Sequence, residues 1–416
     1  MAMKLTTADL PKGVTLDLPK GITIEQLQAH EMSPPHVEGI ETEEMDLARE
    51  KSYEFPLAEE RFKGVPELDP GAFGLAIHNV LKDIVIGYIL RVRQNGTLAH
   101  AGIWHWAQTP ADVPVGWNKD TRMHVASVSK FLTAVGLVKI LNGKNISYDA
   151  KIAGYLPTYW KKGPGIDQVT FRHLLTHKSG FSTGGSASDY GLMKRKVAAG
   201  VSTMGTYDYE NMNFGLCRIL IPIINGNISK AATFGVPPGV RFGLILDKAW
   251  DVTTIRNYLN FMRGRVFSPA GVKNNPGFAP GPGPRALAYP VPPTNKDGWN
   301  SGDLATVSGG AGWRLSVKEV LDVMDHVRRR NTIISKETAQ YMLDNYFGID
   351  QATDTAAGKI YNKNGFWKKS DGRTEQCVAY FFPNNMEAVV FANSSIGAEN
   401  LSLRNLVRDA FKNSLK

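Results

Sequence analysis

Strand-forming residues sit at the two ends of this chain, and the stretch between them reads as helix and loop. Near the start, two β-rich runs, Ile84 to Arg93 and Thr97 to Trp106, meet at Asn95-Gly96, the dipeptide that best supplies the two left-handed residues of a tight hairpin. Near the end, "EQCVAYFFP" and "MEAVVFANSS" flank the turn Pro383-Asn384-Asn385. A lone hairpin is marginal in water, whereas two hairpins that share a sheet bury a common core. The arrangement predicts one sheet assembled from both ends of the chain, with a mostly helical region inserted between them. The expected fold class is α/β (α+β): an antiparallel sheet flanked by helices.

Boundaries follow from local composition. Residues 1–65 are rich in Pro and Glu and read as an N-terminal extension without visible chemistry. Residues 66–150 and 304–416 form the mixed α/β domain, and 151–303 the mostly helical one. The latter ends in a Pro/Gly-rich loop at 274–303 that carries Phe278, Tyr289 and Trp299. "GWRLSVKEVLDVMDHVRRR" and "LSLRNLVRDAFKNSL" have apolar residues at helical spacing.

Several classes of function are disfavoured. The net charge of +9 is spread along the chain with no nucleic-acid motif beside it, so no nucleic-acid partner is expected. The longest apolar run, "LCRILIPII", is too short to span a membrane, and the N-terminus lacks a signal-peptide core. The expected location is therefore cytoplasmic, or periplasmic or secreted if a leader has been removed. Cys217 and Cys377 have no metal spacing and are expected to be free core thiols. No cofactor or metal is expected, and nothing in the sequence sets an oligomeric state.

The chemistry starts in "RMHVASVSKFLTAVGLVKIL", Arg122 to Leu141, where Lys130 opens a run with no other charge from Phe131 to Val138. On a helix, residues i and i+3 share a face, so Ser127 and Lys130 can meet. A serine hydroxyl needs a neighbouring base to become a nucleophile. Lysine serves as that base when desolvation lowers its pKa. Taken alone, such a four-residue pattern is common by chance, and Lys130 could equally snorkel to solvent.

It does not stand alone. "MHVASVSKFLTA", "ISYDAKIAGYLP", "VTFRHLLTHKSGF", "GRVFSPAGV" and "SGGAGWRLSVKEVLDVM" run in order between about Ile84 and Ser395. Together they resemble the serine β-lactamase and penicillin-binding-protein superfamily, especially its class C-like branch of esterases, D-amino peptidases and β-lactamases. The resemblance implies a β-lactamase-like fold and makes Ser127 the nucleophile and Lys130 its base. "YDYENMNFGLC" resembles the second family motif, which implies Tyr209 as a proton shuttle and Asn211 as an orienting amide. Tyr207 is the rival tyrosine.

Lys363-Asn364-Gly365 resembles the third motif less closely, since Asn364 stands where a hydroxyl residue is usual; a hairpin turn at Asn-Gly is the plain alternative. Read as the motif, Lys363 supplies positive charge and Gly365 close approach. The Phe366 N–H then pairs with that of Ser127 as an oxyanion hole.

Two decoys remain. "GFSTG", Gly180 to Gly184, satisfies the nucleophile elbow of α/β-hydrolases, but "FRHLLTHKSG" before it reads as helix where that motif needs a strand. His173 and His177 have metal-ligand spacing without a third ligand, and read as structural. The function implied is a carboxylesterase-like serine hydrolase working through a Ser127–Lys130–Tyr209 acyl-enzyme on a small-molecule ester or amide. A β-lactamase, a D-amino peptidase or an acyltransferase would use the same residues, and a penicillin-binding sensor would acylate without turnover.

Overall fold

The structure is a computed structural model that describes residues 16–32, 65–183, 188–237, 243–291, 297–396 and 402–416, with the backbone of 41–42. The chain divides into two compact units. One comprises residues 38–135, 263–304 and 310–416; the other comprises 1–37, 136–262 and 305–309.

The first unit holds every described strand. These are β1 (Glu41–Thr42), β2 (Gly87–Gln94), β3 (Thr97–Gln108), β4 (Val115–Gly116), β5 (Met123–His124), β6 (Arg314–Leu315), β7 (Gln351–Thr355), β8 (Gly358–Lys368), β9 (Thr374–Phe382) and β10 (Met386–Ala392). The main sheet has the order β1-β8-β9-β10-β2-β3-β4, with β7 also on β8, and β5-β6 forms a separate ribbon. The expected hairpins are both present. Asn95 and Gly96 have φ of 52° and 80°, and Asn384 and Asn385 have φ of 57° and 50°, the conformations a tight β2–β3 or β9–β10 reversal needs. The antiparallel pairing of β10 with β2, Val390 opposite Leu90, joins the two chain ends into one sheet.

Strands β9 and β10 are buried at every position, because helices cover both faces of the sheet. On one face, Phe73 and Ile77 of the Pro70–Leu81 helix and Val407 and Phe411 of the Leu403–Asn413 helix pack on Tyr88, Leu90, Tyr380 and Phe382. The Phe382 and Phe411 rings stack at 4.3 Å. On the other face, Phe131 meets Phe381 edge-on at 5.4 Å, and the Val317–Arg328 helix buries Val317, Val320, Leu321 and Met324. Each such side chain contributes about 1.5–3 kcal/mol of burial. That helix starts in a capping box between Ser316 and Glu319.

The described parts of the loop, 274–291 and 297–303, read from sequence as part of the helical domain, belong to the sheet-bearing unit. Its backbone explains why: Tyr289 donates to the Asn393 carbonyl at 2.8 Å and Ala286 to that of Arg122 at 2.9 Å. Phe278 and Tyr289 are buried, the first against Trp313 at 4.5 Å and the second through its hydroxyl to Asp112 at 2.6 Å.

The second unit is helical: Phe171–Leu175, Tyr190–Ala199, Asn211–Ile224 and Gly243–Met262. Asn211–Ile224 is its buried axis, with only Ile223 partly exposed. Of the N-terminal extension, residues 16–32 pack here. Thr23 caps the short Ile24–Ala29 helix, and His30 meets the buried Asp251 at 2.8 Å, which in turn pairs with Arg218 at 2.5 Å. The rest of 1–64, apart from the 41–42 backbone, lies outside the described residues. Cys217 and Cys377 are both buried. Among the described residues, no helix is long and apolar enough to cross a membrane.

Candidate active site

Ser127 lies at the foot of the Val128–Gly143 helix, immediately after Ala126, whose φ is 42°. A left-handed residue with a Cβ costs on the order of 1–2 kcal/mol and persists only where its surroundings hold it. Here the segment Gly310–Trp313 does so. Val125 N–H donates to Trp313 O at 2.9 Å, Trp313 N–H to Ser129 Oγ at 3.2 Å, and Gly312 N–H to His124 Nε2 at 3.0 Å. Ser127 is 3% exposed and Lys130 0%. The Lys130 ammonium donates to Ser127 Oγ at 2.8 Å and to Gly310 O at 3.0 Å. With an uncharged amine, the same 2.8 Å contact lets the serine hydroxyl donate instead, which is the geometry of proton transfer to a general base.

His124 and Glu375 lie beneath this corner, both fully buried, with Nδ1 3.1 Å from the carboxylate. Since Gly312 N–H donates to Nε2, the ring is a neutral imidazole with its proton on Nδ1 toward Glu375. Burial holds His124 below the ordinary histidine range, against the pull of Glu375.

The third motif lies inside β8 and not in a turn: Lys363, Asn364 and Gly365 are in register with Ala379, Val378 and Cys377 of β9. On the other side, β7 pairs as far as Asn362 and β1 begins at Trp367. The edge from 363 to 366 is thus left to other partners. A Cβ on Gly365 would lie 2.4 Å from Val125 O and 3.2 Å from Ser127 N, so only glycine lets the strand come this close to the serine. Asn364 N–H leaves the sheet on this edge, donating to Asp350 Oδ2 at 2.8 Å. N–H groups two residues apart on a strand point the same way, so that of Phe366 faces the same edge. Lys363 shares the Gly365 face, and its ammonium pairs with Asp350 Oδ1 at 2.5 Å. Asn364 projects its side chain from the opposite face.

Tyr209 and Asn211 belong to the helical unit. Asn211 is the first residue of the Asn211–Ile224 helix, and both are 4% exposed. Tyr209 stacks on His177 at 4.3 Å, and His177 Nδ1 accepts from the Glu210 N–H at 3.0 Å. The rival Tyr207 is 51% exposed. His173 completes a capping box with Thr170, and His177 falls beyond the helix that ends at Leu175. Their rings therefore serve the backbone, and among the described residues no group of His, Cys, Asp or Glu could hold a metal ion. Ser182 is exposed on a loop after a helix and turn; Gly184 of "GFSTG" lies outside the described residues.

Sequence reasoning missed Asp350, Glu375, Gly310 and the role of His124. Only His124 had a signal, its place three residues before Ser127. The partners of these groups come from segments 180 to 251 residues away or from an edge that no periodicity marks.

Residues 79–226 match the Beta-lactamase protein family. Among curated proteins, the Esterase/beta-lactamase LipL of Mycobacterium tuberculosis is 28% identical over 121 residues, and the match covers 27% of this chain and 27% of that protein. The chain thus aligns with about a quarter of that relative's length. Solved structures align far more widely. FmtA from Staphylococcus aureus superposes with a TM-score of 0.62 at 14% identity over 86% of this chain and 92% of that one. An octameric penicillin-binding protein homologue from Pyrococcus abyssi gives 0.60 at 17%, over 80% and 75%. The D-amino acid amidase from Ochrobactrum anthropi SV3 gives 0.58 at 16%, over 82% and 99%. At such identities the structures speak for the fold, which is β-lactamase-like. The match over 79–226 makes that segment similar to the Beta-lactamase family, in agreement with the fold.

Proposed function

We propose that this protein is a carboxylesterase-like serine hydrolase that works through an acyl-enzyme on Ser127. The observation that carries the reading is the buried Lys130–Ser127 contact of 2.8 Å. Lys130 takes the hydroxyl proton, and Ser127 Oγ attacks the ester carbonyl. The N–H groups of Ser127 and Phe366 hold the oxyanion, and the alcohol leaves with a proton delivered through Tyr209. Water then attacks the acyl-enzyme, releases the acid and returns the proton to the site. The roles of Tyr209 and Asn211 rest on the resemblance of "YDYENMN" to the family motif, and a buried tyrosine stacked on His177 supports the choice of Tyr209 over Tyr207. Preference for esters is supported by Asn364 in the third motif, where the usual hydroxyl is absent; the curated relative, named an esterase/beta-lactamase, is compatible with it.

The experiment is a substrate panel of p-nitrophenyl esters, a cephalosporin and D-amino acid amides, with intact-mass detection of acylated protein. Multiple turnover of a simple ester, with kcat/KM above that of the cephalosporin and the amides, is the expected result. A cephalosporin or a D-amino acid amide turned over faster than the best ester reassigns the activity. One equivalent of stable adduct without turnover makes the protein a sensor.

A further inference from the structure

We propose that Asp350 is a specificity-determining residue that closes the site to anionic groups; the proposal rests on the hydrolase reading above and names the substrate charge it selects. In the third motif, Lys363 is the cation to which a substrate carboxylate would be drawn. Its ammonium is instead held by Asp350 Oδ1 at 2.5 Å, with the two side chains 1% and 5% exposed. The second oxygen, Oδ2, accepts the edge N–H of Asn364 at 2.8 Å, so the carboxylate is fixed at both atoms and cannot swing away without losing two charge-assisted bonds. The Asp350 N–H also donates to Asn362 O at 2.9 Å.

Position gives this pair its effect. Asn364 and Phe366 present their N–H groups on one strand edge, about 6.6 Å apart along β8. A fixed negative charge therefore sits at the Asn364 N–H, one strand repeat from the Phe366 N–H, and between the two lies Gly365, where a Cβ would be 3.2 Å from Ser127 N. An anionic acyl or leaving group entering there meets a neutralised lysine and a strand-edge donor already taken, while a neutral group loses nothing. Gly348 packs the Asp350 loop on the serine helix, since its Cβ would lie 3.0 Å from Lys130 O. The pair is thereby tied to the catalytic corner.

The test compares p-nitrophenyl butyrate with mono-p-nitrophenyl glutarate, which carries a free carboxylate, on the full chain at low ionic strength. Asp350→Asn keeps the hydrogen-bond shape and removes the charge. It should raise the ratio of kcat/KM, glutarate ester over butyrate, by about ten-fold or more, mainly through KM, and the gain should shrink in high salt. Adding Lys363→Gln to Asp350→Asn should return the ratio to near the wild-type value. An unchanged ratio in folded Asp350→Asn overturns the proposal. Should Asp350→Asn fail to fold, Lys363→Gln alone decides: both esters falling in parallel supports the proposal, whereas a selective loss of the glutarate ester of about ten-fold or more shows Lys363 already open to carboxylates and overturns it. If the wild type cleaves neither ester, the hydrolase reading fails separately. The same ratio is then read from Ser127 labelling rates with a neutral and a carboxylate-tailed fluorophosphonate.

Discussion

Ser127 and Ser182 both sit in short patterns that spell a nucleophile, and their surroundings differ in every physical respect. Ser127 follows a left-handed Ala126, lies at a helix start, is 3% exposed and has a lysine at 2.8 Å. Ser182 is exposed, lies in a loop after the Phe171–Leu175 helix, and its backbone carbonyl accepts from Lys196. A hydroxyl in water keeps its proton because nothing nearby takes it better than solvent does; a hydroxyl beside a desolvated amine has somewhere to send it. What separates a nucleophile from an ordinary serine is this environment, and three or four letters of sequence do not specify it.

The comparison breaks most directly at the serines themselves. Ser127→Ala should lower esterase activity by on the order of 10⁴-fold or more and abolish fluorophosphonate labelling, and Ser182→Ala should leave both in place. Labelling lost only in the Ser182 variant would reverse the assignment.

The bases come next. Lys130→Ala should reduce kcat by about 10²–10⁴-fold with a much smaller change in KM, the range expected for a general base. Tyr209→Phe should fall in the same direction with Tyr207→Phe close to wild type; the opposite order for the two tyrosines would shift the motif by two residues.

A smaller effect is expected at Gly365. Alanine there puts a Cβ 2.4 Å from the Val125 carbonyl, so β8 must back away from the serine corner. The expected destabilisation is about 1–3 kcal/mol, read by thermal or denaturant unfolding, with kcat falling alongside it. Full stability together with full activity would mean that the close approach has no role.

The smallest effect concerns His124. Its native pKa is lowered by burial, while the unfolded chain titrates near 6.5. Between those two values the unfolded state holds a proton that the native state does not, so stability is lost as the pH falls below about 6.5, by up to about 1.4 kcal/mol per pH unit for one group. His124→Gln, which can still donate to Glu375 and accept from Gly312, should flatten that slope by about one proton in unfolding curves measured between pH 7 and 5. An unaltered slope would place the proton elsewhere.

Short-range physics made much of this protein readable from its residues alone. Strand-forming composition and turn chemistry marked β2, β3, β9 and β10, because a left-handed Asn-Gly pair and a run of strand-forming residues are local properties. The three-residue spacing of Ser127 and Lys130 made their meeting a consequence of helix geometry, while the uncharged run after Lys130 left both burial and snorkelling to solvent open, and the fold chose burial. Tertiary structure decided the rest. The order of the sheet required β10 to find β2 across nearly 300 residues. The loop after Asn274 joined the sheet-bearing unit through backbone bonds that Pro and Gly do not signal. Lys363 acquired Asp350, and His124 acquired Glu375, from segments whose sequences carry no mark of the encounter. Charge and hydrogen-bond pairing at contact distance depends on which surfaces the fold brings together, and that is a property of the packed chain as a whole.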